Sequence, residues 1–79
     1  MVNFEIGKSY VYRQNAKAMK LTWTVISRTA GTVVLKNRNF GEIKRNIIHL
    51  DNVQNEKMEA VRIFKGDKFS MMSACNIVD

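Results

Sequence analysis

Between Leu21 and Lys36 the chain reads LTWTVISRTAGTVVLK, with apolar residues at alternate positions on both sides of a single glycine. A period of two marks a strand with one buried face, because successive side chains point to opposite sides of a sheet. Two such runs joined by a short turn make a hairpin, and a one-residue slip in pairing exchanges its two faces. A two-residue turn at Ala30-Gly31 sets Val25 opposite Lys36 and Trp23 opposite Arg38, mixing charge with core. A three-residue loop, Thr29-Ala30-Gly31, sets Val25 opposite Leu35, Ser27 opposite Val33 and Arg28 opposite Thr32. The second register separates the faces. It predicts a core face of Leu21, Trp23, Val25, Val33 and Leu35, a left-handed Gly31 as such loops require, and Arg28 beside Lys36 on the outward face.

The same alternation and the same β-branched and aromatic residue types recur along the chain, and helical periodicity is weak. Strands are predicted near 8–14, 19–28, 32–37, 42–49, 58–65 and 68–75. Turn chemistry separates them: NAKA at 15–18, TAG at 29–31, NRNFG at 37–41, LDNVQNE at 50–56 and Gly66-Asp67. A tight turn at Gly66-Asp67 pairs Phe64 with Phe69, Arg62 with Met71 and Val61 with Met72. A short closing helix through SMMSACNIV is the alternative to a last strand. Five or six sequential antiparallel strands in one short chain predict an all-β fold, residues 1–79 forming a single small SH3-like antiparallel barrel, with an OB-like barrel as second choice.

A domain of 79 residues buries only about 60% of its unfolded surface, so its stability must come from the core itself. Cys75 is the one cysteine and His49 the one histidine, which rules out an internal disulfide and a structural zinc site. A lone thiol, an N-terminus without signal-peptide character and apolar runs too short for a membrane helix predict a cytoplasmic protein.

Charge is the strongest functional signal. The chain carries a net +6, and residues 8–50 hold nine Lys and Arg against Glu42 alone. Arg28, Lys36, Arg38, Lys44 and Arg45 fall on the predicted second to fourth strands and their loops, with Phe40 at the NRNFG tip. Lysine and arginine there would neutralise phosphates, and an exposed aromatic would stack on an unpaired base. The plainer reading is a charged coat that protects edge strands, with Phe40 folded back on the core. Tyr10, Tyr12 and Trp23 could line a peptide groove; Trp23 falls on the core face, and the two tyrosines share a face that is either core or groove.

Catalysis finds little to build on. A Cys75–His49 pair would need an orienting third group and an oxyanion pocket, and a buried inert thiol is the simpler reading. Asp51, Glu56 and Glu59 read as a solvated acidic loop. The glycines stand alone at 7, 31, 41 and 66, so no phosphate loop or dinucleotide motif exists. No catalytic residue, metal, cofactor, membrane or small-molecule substrate is predicted. Phe64, Phe69 and Met71, with Met72 and Ile48, form a second candidate surface, either a protein or homodimer interface or the far wall of the core.

The opening Phe4-Glu5-Ile6-Gly7-Lys8-Ser9-Tyr10 and the hairpin Val25-Ile26-Ser27-Arg28-Thr29 with Thr32-Val33-Val34-Leu35 together resemble a pattern in uncharacterised, very small β proteins of Gram-positive bacteria, their phages and mobile elements. The resemblance spans about half the chain. It implies a β-rich fold and a mobile-element origin, and it carries no activity onto particular residues. Two functions are therefore expected in order: a non-enzymatic module that binds nucleic acid, or the acidic surface of a nucleic-acid-handling protein, through the basic ribbon, and, as the alternative, a phage or mobile-element protein, anti-CRISPR-like, that inhibits a host or defence protein by protein contact.

Overall fold

Val25 faces Leu35 across an antiparallel hairpin, and the rest of the fold is built outward from that pair. The computed structural model describes residues 2–13, 20–51, 57–67 and 70–78. All the regular structure in them is β: β1 Ser9–Tyr12, β2 Leu21–Arg28, β3 Thr32–Asn37, β4 Gly41–Asn46, β5 Ile48–Asp51, β6 Lys57–Arg62, β7 Met71–Ser73 and β8 Ile77–Val78. They form a five-stranded sheet in the order β4-β3-β2-β1-β8 and a three-stranded sheet in the order β5-β6-β7. Every strand pair is antiparallel. No helix among the described residues is long and apolar enough to cross a membrane.

The chain passes between the sheets at two short corners. The strand expected over 42–49 is two strands, broken at Ile47, whose N–H bonds the Gly31 carbonyl at 2.8 Å. β4 therefore pairs with β3, while β5 pairs with β6 in the other sheet. Residues 74–76 make the second corner, between β7 on β6 and β8 on β1. The closing helix considered for SMMSACNIV is absent, because those residues supply two strands and the turn between them. The Arg62–Met71 and Val61–Met72 pairings occur as the hairpin register predicts. The Phe64–Phe69 pair, the NAKA turn and most of LDNVQNE lie outside the described residues.

The core fills the space between the sheets. Tyr10, Trp23, Val25, Val33 and Leu35 on the larger sheet face Val61 and Met72 on the smaller and Ile63 just past the end of β6, all fully buried. Tyr12 is buried beside them, so both tyrosines that could have lined a groove belong to the core. The N-terminal segment closes one side. Val2 bridges Met58 in parallel, and Phe4 packs its ring edge-on to Tyr10 at 4.9 Å. The thiol of Cys75, expected inside, is exposed in the second corner.

The β2–β3 hairpin departs from its predicted register in one respect. Pairing runs Thr24–Lys36 and Val25–Leu35, then shifts to Ser27–Val34 and Arg28–Val33. Ile26 is the extra residue of a β-bulge and is exposed. The bulge allows the tight Ala30-Gly31 turn and the Val25–Leu35 pair to coexist, which unbroken alternation forbids. Thr29 N–H bonds the Thr32 carbonyl at 2.9 Å, and Thr29 Oγ1 accepts from Gly31 and Thr32 N–H. Gly31 does not adopt a left-handed conformation; Gly7, Gly41 and Gly66 do. After the bulge every side chain of β2 changes face. Arg28, expected outward beside Lys36, lies opposite buried Val33 on the inner face.

Candidate functional site

Turned inward, Arg28 meets Glu59 of β6. Its Nη1 donates to Glu59 Oε1 at 2.6 Å and its Nη2 to Oε2 at 2.8 Å. The same Nη1 donates to the Phe4 carbonyl at 2.6 Å, while Phe4 N–H donates to Glu59 Oε1 at 2.7 Å. One ion pair thus ties β2, β6 and the N-terminal segment together. The Arg28 side chain is 19% exposed and that of Glu59 4%, so Glu59 is no part of a solvated acidic loop. Hydrogen bonding from Arg28, opposed by desolvation and helped by Phe4 N–H, holds the Glu59 carboxyl below its ordinary value. Its bond to Glu59 likewise raises Arg28. Both charges are consumed internally, which removes Arg28 from the candidate surface.

The remaining predicted cations divide into two groups. Lys36 is exposed on the outer face of β3 between Thr24 and Glu42, and Arg38 is exposed in the β3–β4 turn. Lys44 and Arg45 instead border an open groove of about 670 Å³, where β4 swings away from the end of β6. Arg62 and Lys65 complete its basic lining, with Asn46, Ile48 and Gly66 between them. Among the described residues no carboxylate lines it. Four cationic residues lining one concavity, with no lining acid among the described residues, favour anions there.

Local structure fixes this groove. Arg45 lies half-buried across the gap, its guanidinium donating to the Ile63 carbonyl at 2.9 Å from Nη2 and to the Lys44 carbonyl at 2.9 Å from Nη1. Its Nε is shared between the Arg62 and Ile63 carbonyls, both at 3.1 Å. Arg45 therefore pins the sheet corner while leaving its charge unpaired by any carboxylate among the described residues. Buried Ser70 holds the opposite wall. Its hydroxyl accepts from Phe64 N–H at 3.0 Å and has the Asp67 and Phe64 carbonyls at 2.7 and 3.2 Å to donate to, which shapes the turn carrying Lys65.

Phe40 stands on the turn between β3 and β4. Asn37, buried, accepts Asn39 N–H at 2.7 Å and Phe40 N–H at 3.0 Å on Oδ1 and donates from Nδ2 to the Thr22 carbonyl at 3.0 Å. Gly41 closes the turn with φ of 74°, a conformation side-chain-bearing residues rarely adopt. The Phe40 ring stacks on Trp23 at 6.1 Å and 22°, and meets Phe64 edge-on at 5.6 Å.

The second predicted surface is mostly internal. Met72 is in the core, Phe64 is half-buried against it, and Ile48 and Met71 are half-buried; Phe69 lies outside the described residues. Among the described residues the large exposed apolar side chains are Ile6, Ile26, Phe40, Ile77 and Val78. The sulfur of Cys75 contacts Met58 Sδ at 3.6 Å. Among the described residues no three His, Cys, Asp or Glu side chains are grouped as metal ligands.

Arg62 and Lys65 are hidden from sequence reasoning by the near-neutral charge of residues 51–79. The hairpin register does set Arg62 at the base of the Gly66-Asp67 turn. The break at Ile47, which carries Lys44 and Arg45 to them, has no local signal. No protein-family model, no curated protein and no solved structure matches this chain.

Proposed function

We propose that this protein is a non-enzymatic binding module that holds the phosphate backbone of nucleic acid in the groove lined by Lys44, Arg45, Arg62 and Lys65. The observation that carries this reading is that four cationic residues, from β4, the end of β6 and the following turn, line one open concavity with no lining carboxylate among the described residues. Phosphate contacts of this kind give affinity without sequence preference, because every nucleotide presents the same anion. The accompanying fold reading is an SH3-like barrel, with an OB-like barrel second. Its support is the pair of corners at which the chain bends from one sheet into the other. Scaffolds of either kind host unrelated functions, so the functional reading rests on the groove alone. The exposed single thiol of Cys75 suits a reducing cytoplasm.

The test is fluorescence anisotropy with a labelled oligonucleotide over a salt series. Four neutralised phosphates give a slope of log K against log salt of about −3, and Lys44→Glu with Lys65→Glu abolishes binding while the circular dichroism spectrum stays unchanged. Binding that is flat from low to high salt, or that survives the double reversal, sinks the reading. An acidic protein is the other occupant such a groove could take; capture of a protein partner that resists nuclease and competes with no oligonucleotide would favour it.

A further inference from the structure

We infer that Phe40 is a stacking platform for an unpaired base, which makes the ligand of the basic groove single-stranded nucleic acid. The inference rests on the phosphate-binding reading of the groove. Phe40 is 54% exposed although one side of its ring is backed by fully buried Trp23 and its neighbour Phe64 meets it edge-on. A ring backed on one side and still more than half exposed has a face open to solvent. That face is held in place. Asn37 fixes the Phe40 backbone, Gly41 closes the turn, and two rings support the third. A platform already ordered loses little entropy when a base settles on it.

The platform adjoins the groove. Phe64 touches the Phe40 ring, and the next residue, Lys65, lines the groove. A backbone lying along the cations can thus turn one nucleotide toward Phe40, with exposed Arg38 on the same turn to meet a neighbouring phosphate. In a duplex the base faces are already stacked on one another, so only an unpaired base can use this surface. Stacking on an aromatic side chain tolerates every base, since each has a π face, and it leaves the groove indifferent to sequence.

The experiment compares labelled dT and rU oligomers, a duplex of the same length, and heparin, a polyanion without bases, on the full chain at one salt concentration. Wild-type protein is set beside Phe40→Ala and Phe40→Leu; leucine keeps apolar cover over Trp23 and removes the π face, and circular dichroism checks both folds. The expected result is single strands bound about tenfold tighter than duplex, with that preference lost in both variants and heparin binding unchanged. The dT and rU arms separate DNA from RNA as the source of the strand. Equal affinity for strand and duplex, or full preference in Phe40→Leu, overturns the platform and leaves the groove standing. Failure to bind any of the polyanions overturns both.

Discussion

Arg28 and Glu59 stand 31 positions apart and meet through two parallel hydrogen bonds of 2.6 and 2.8 Å, with the Phe4 peptide bonded to both partners. The pair spans the two sheets, because β2 belongs to one and β6 to the other. It exists because the bulge at Ile26 turns Arg28 inward. A fork-to-carboxylate arrangement with a third segment attached is a strong geometry, and here it locks the N-terminal segment as well as the sheets.

Removing one partner leaves the other charge unmatched, Glu59 buried or Arg28 half-buried. Arg28→Ala or Glu59→Ala should each lower stability by about 3 kcal/mol, read by chemical denaturation. The double change Arg28→Met with Glu59→Leu should cost much less than the sum, since it leaves no orphan charge. Single-variant losses below about 0.5 kcal/mol would place the pair with ordinary surface ion pairs.

Acid should act through the same contact. The folded Glu59 carboxyl lies below its ordinary value of 4.5, chiefly through its bond from Arg28. The unfolded chain therefore takes up this proton first, so the contribution is complete above about pH 4.5 and is lost as pH falls through the folded value. Denaturation midpoints between about pH 6 and 3 should drop more steeply in wild-type protein than in Glu59→Gln. Parallel curves would refute the assignment.

The chain has two tyrosines, and burial is the first cause raising both, with the nearby Asp67 charge adding to Tyr12. Absorbance at the tyrosinate band should show less than half ionisation at about pH 10 in the folded protein, and half or more would refute the shift. A raised folded value means stability is intact below about pH 10 and is lost as pH climbs through it, so ionisation and unfolding should coincide.

Tyr12 Oη and Trp23 Nε1 are buried without a hydrogen-bond partner among the described residues. An orphaned polar group costs about 1–3 kcal/mol, so Tyr12→Phe should be neutral or stabilising in thermal melts. A loss above about 1 kcal/mol would show that the hydroxyl is satisfied after all.

Charge and shape at Arg45 can be separated. Arg45→Lys keeps the cation and loses the fork that reaches the Lys44, Arg62 and Ile63 carbonyls. Stability should fall by about 1 kcal/mol, with the salt slope of oligonucleotide binding unchanged. A slope reduced by a full unit would mean that the fork geometry, and not the charge alone, is needed for Arg45 to neutralise its phosphate.

Much of the fold is legible in the sequence where the signal is local. The period of two identifies Trp23, Val25, Val33 and Leu35 as core, and the Gly66-Asp67 turn sets Arg62 against Met71. The Val25–Leu35 pair is likewise predicted, although by a three-residue loop where the molecule uses a tight turn and a bulge. The outward placement of Arg28 fails for that reason: alternation counts residues, and one unpaired residue reverses the count.

Half of the candidate site is equally readable. Lys44 and Arg45 stand out in a stretch with few acids, and Phe40 is conspicuous as an aromatic ring at the tip of a polar turn. Arg62 and Lys65 do not stand out, because the acids near them in sequence mask their charge. Glu59 is misread for the converse reason. Its sequence neighbours are polar, and its burial depends on Arg28 and Phe4, which arrive from far along the chain.

What the amino-acid order determines by itself is therefore the all-β character, the inner face of the β2–β3 hairpin up to the bulge, and the surplus of positive charge. All three follow from side-chain alternation and composition, which need no knowledge of distant neighbours. Tertiary structure alone decided which of the described cations escape a carboxylate. The bulge at Ile26 delivers Arg28 to Glu59 and neutralises it, while the corner at Ile47 brings Lys44 and Arg45 to Arg62 and Lys65. A charge counts toward binding only where folding leaves it without a carboxylate, and that pairing is fixed by contacts between residues far apart in the chain.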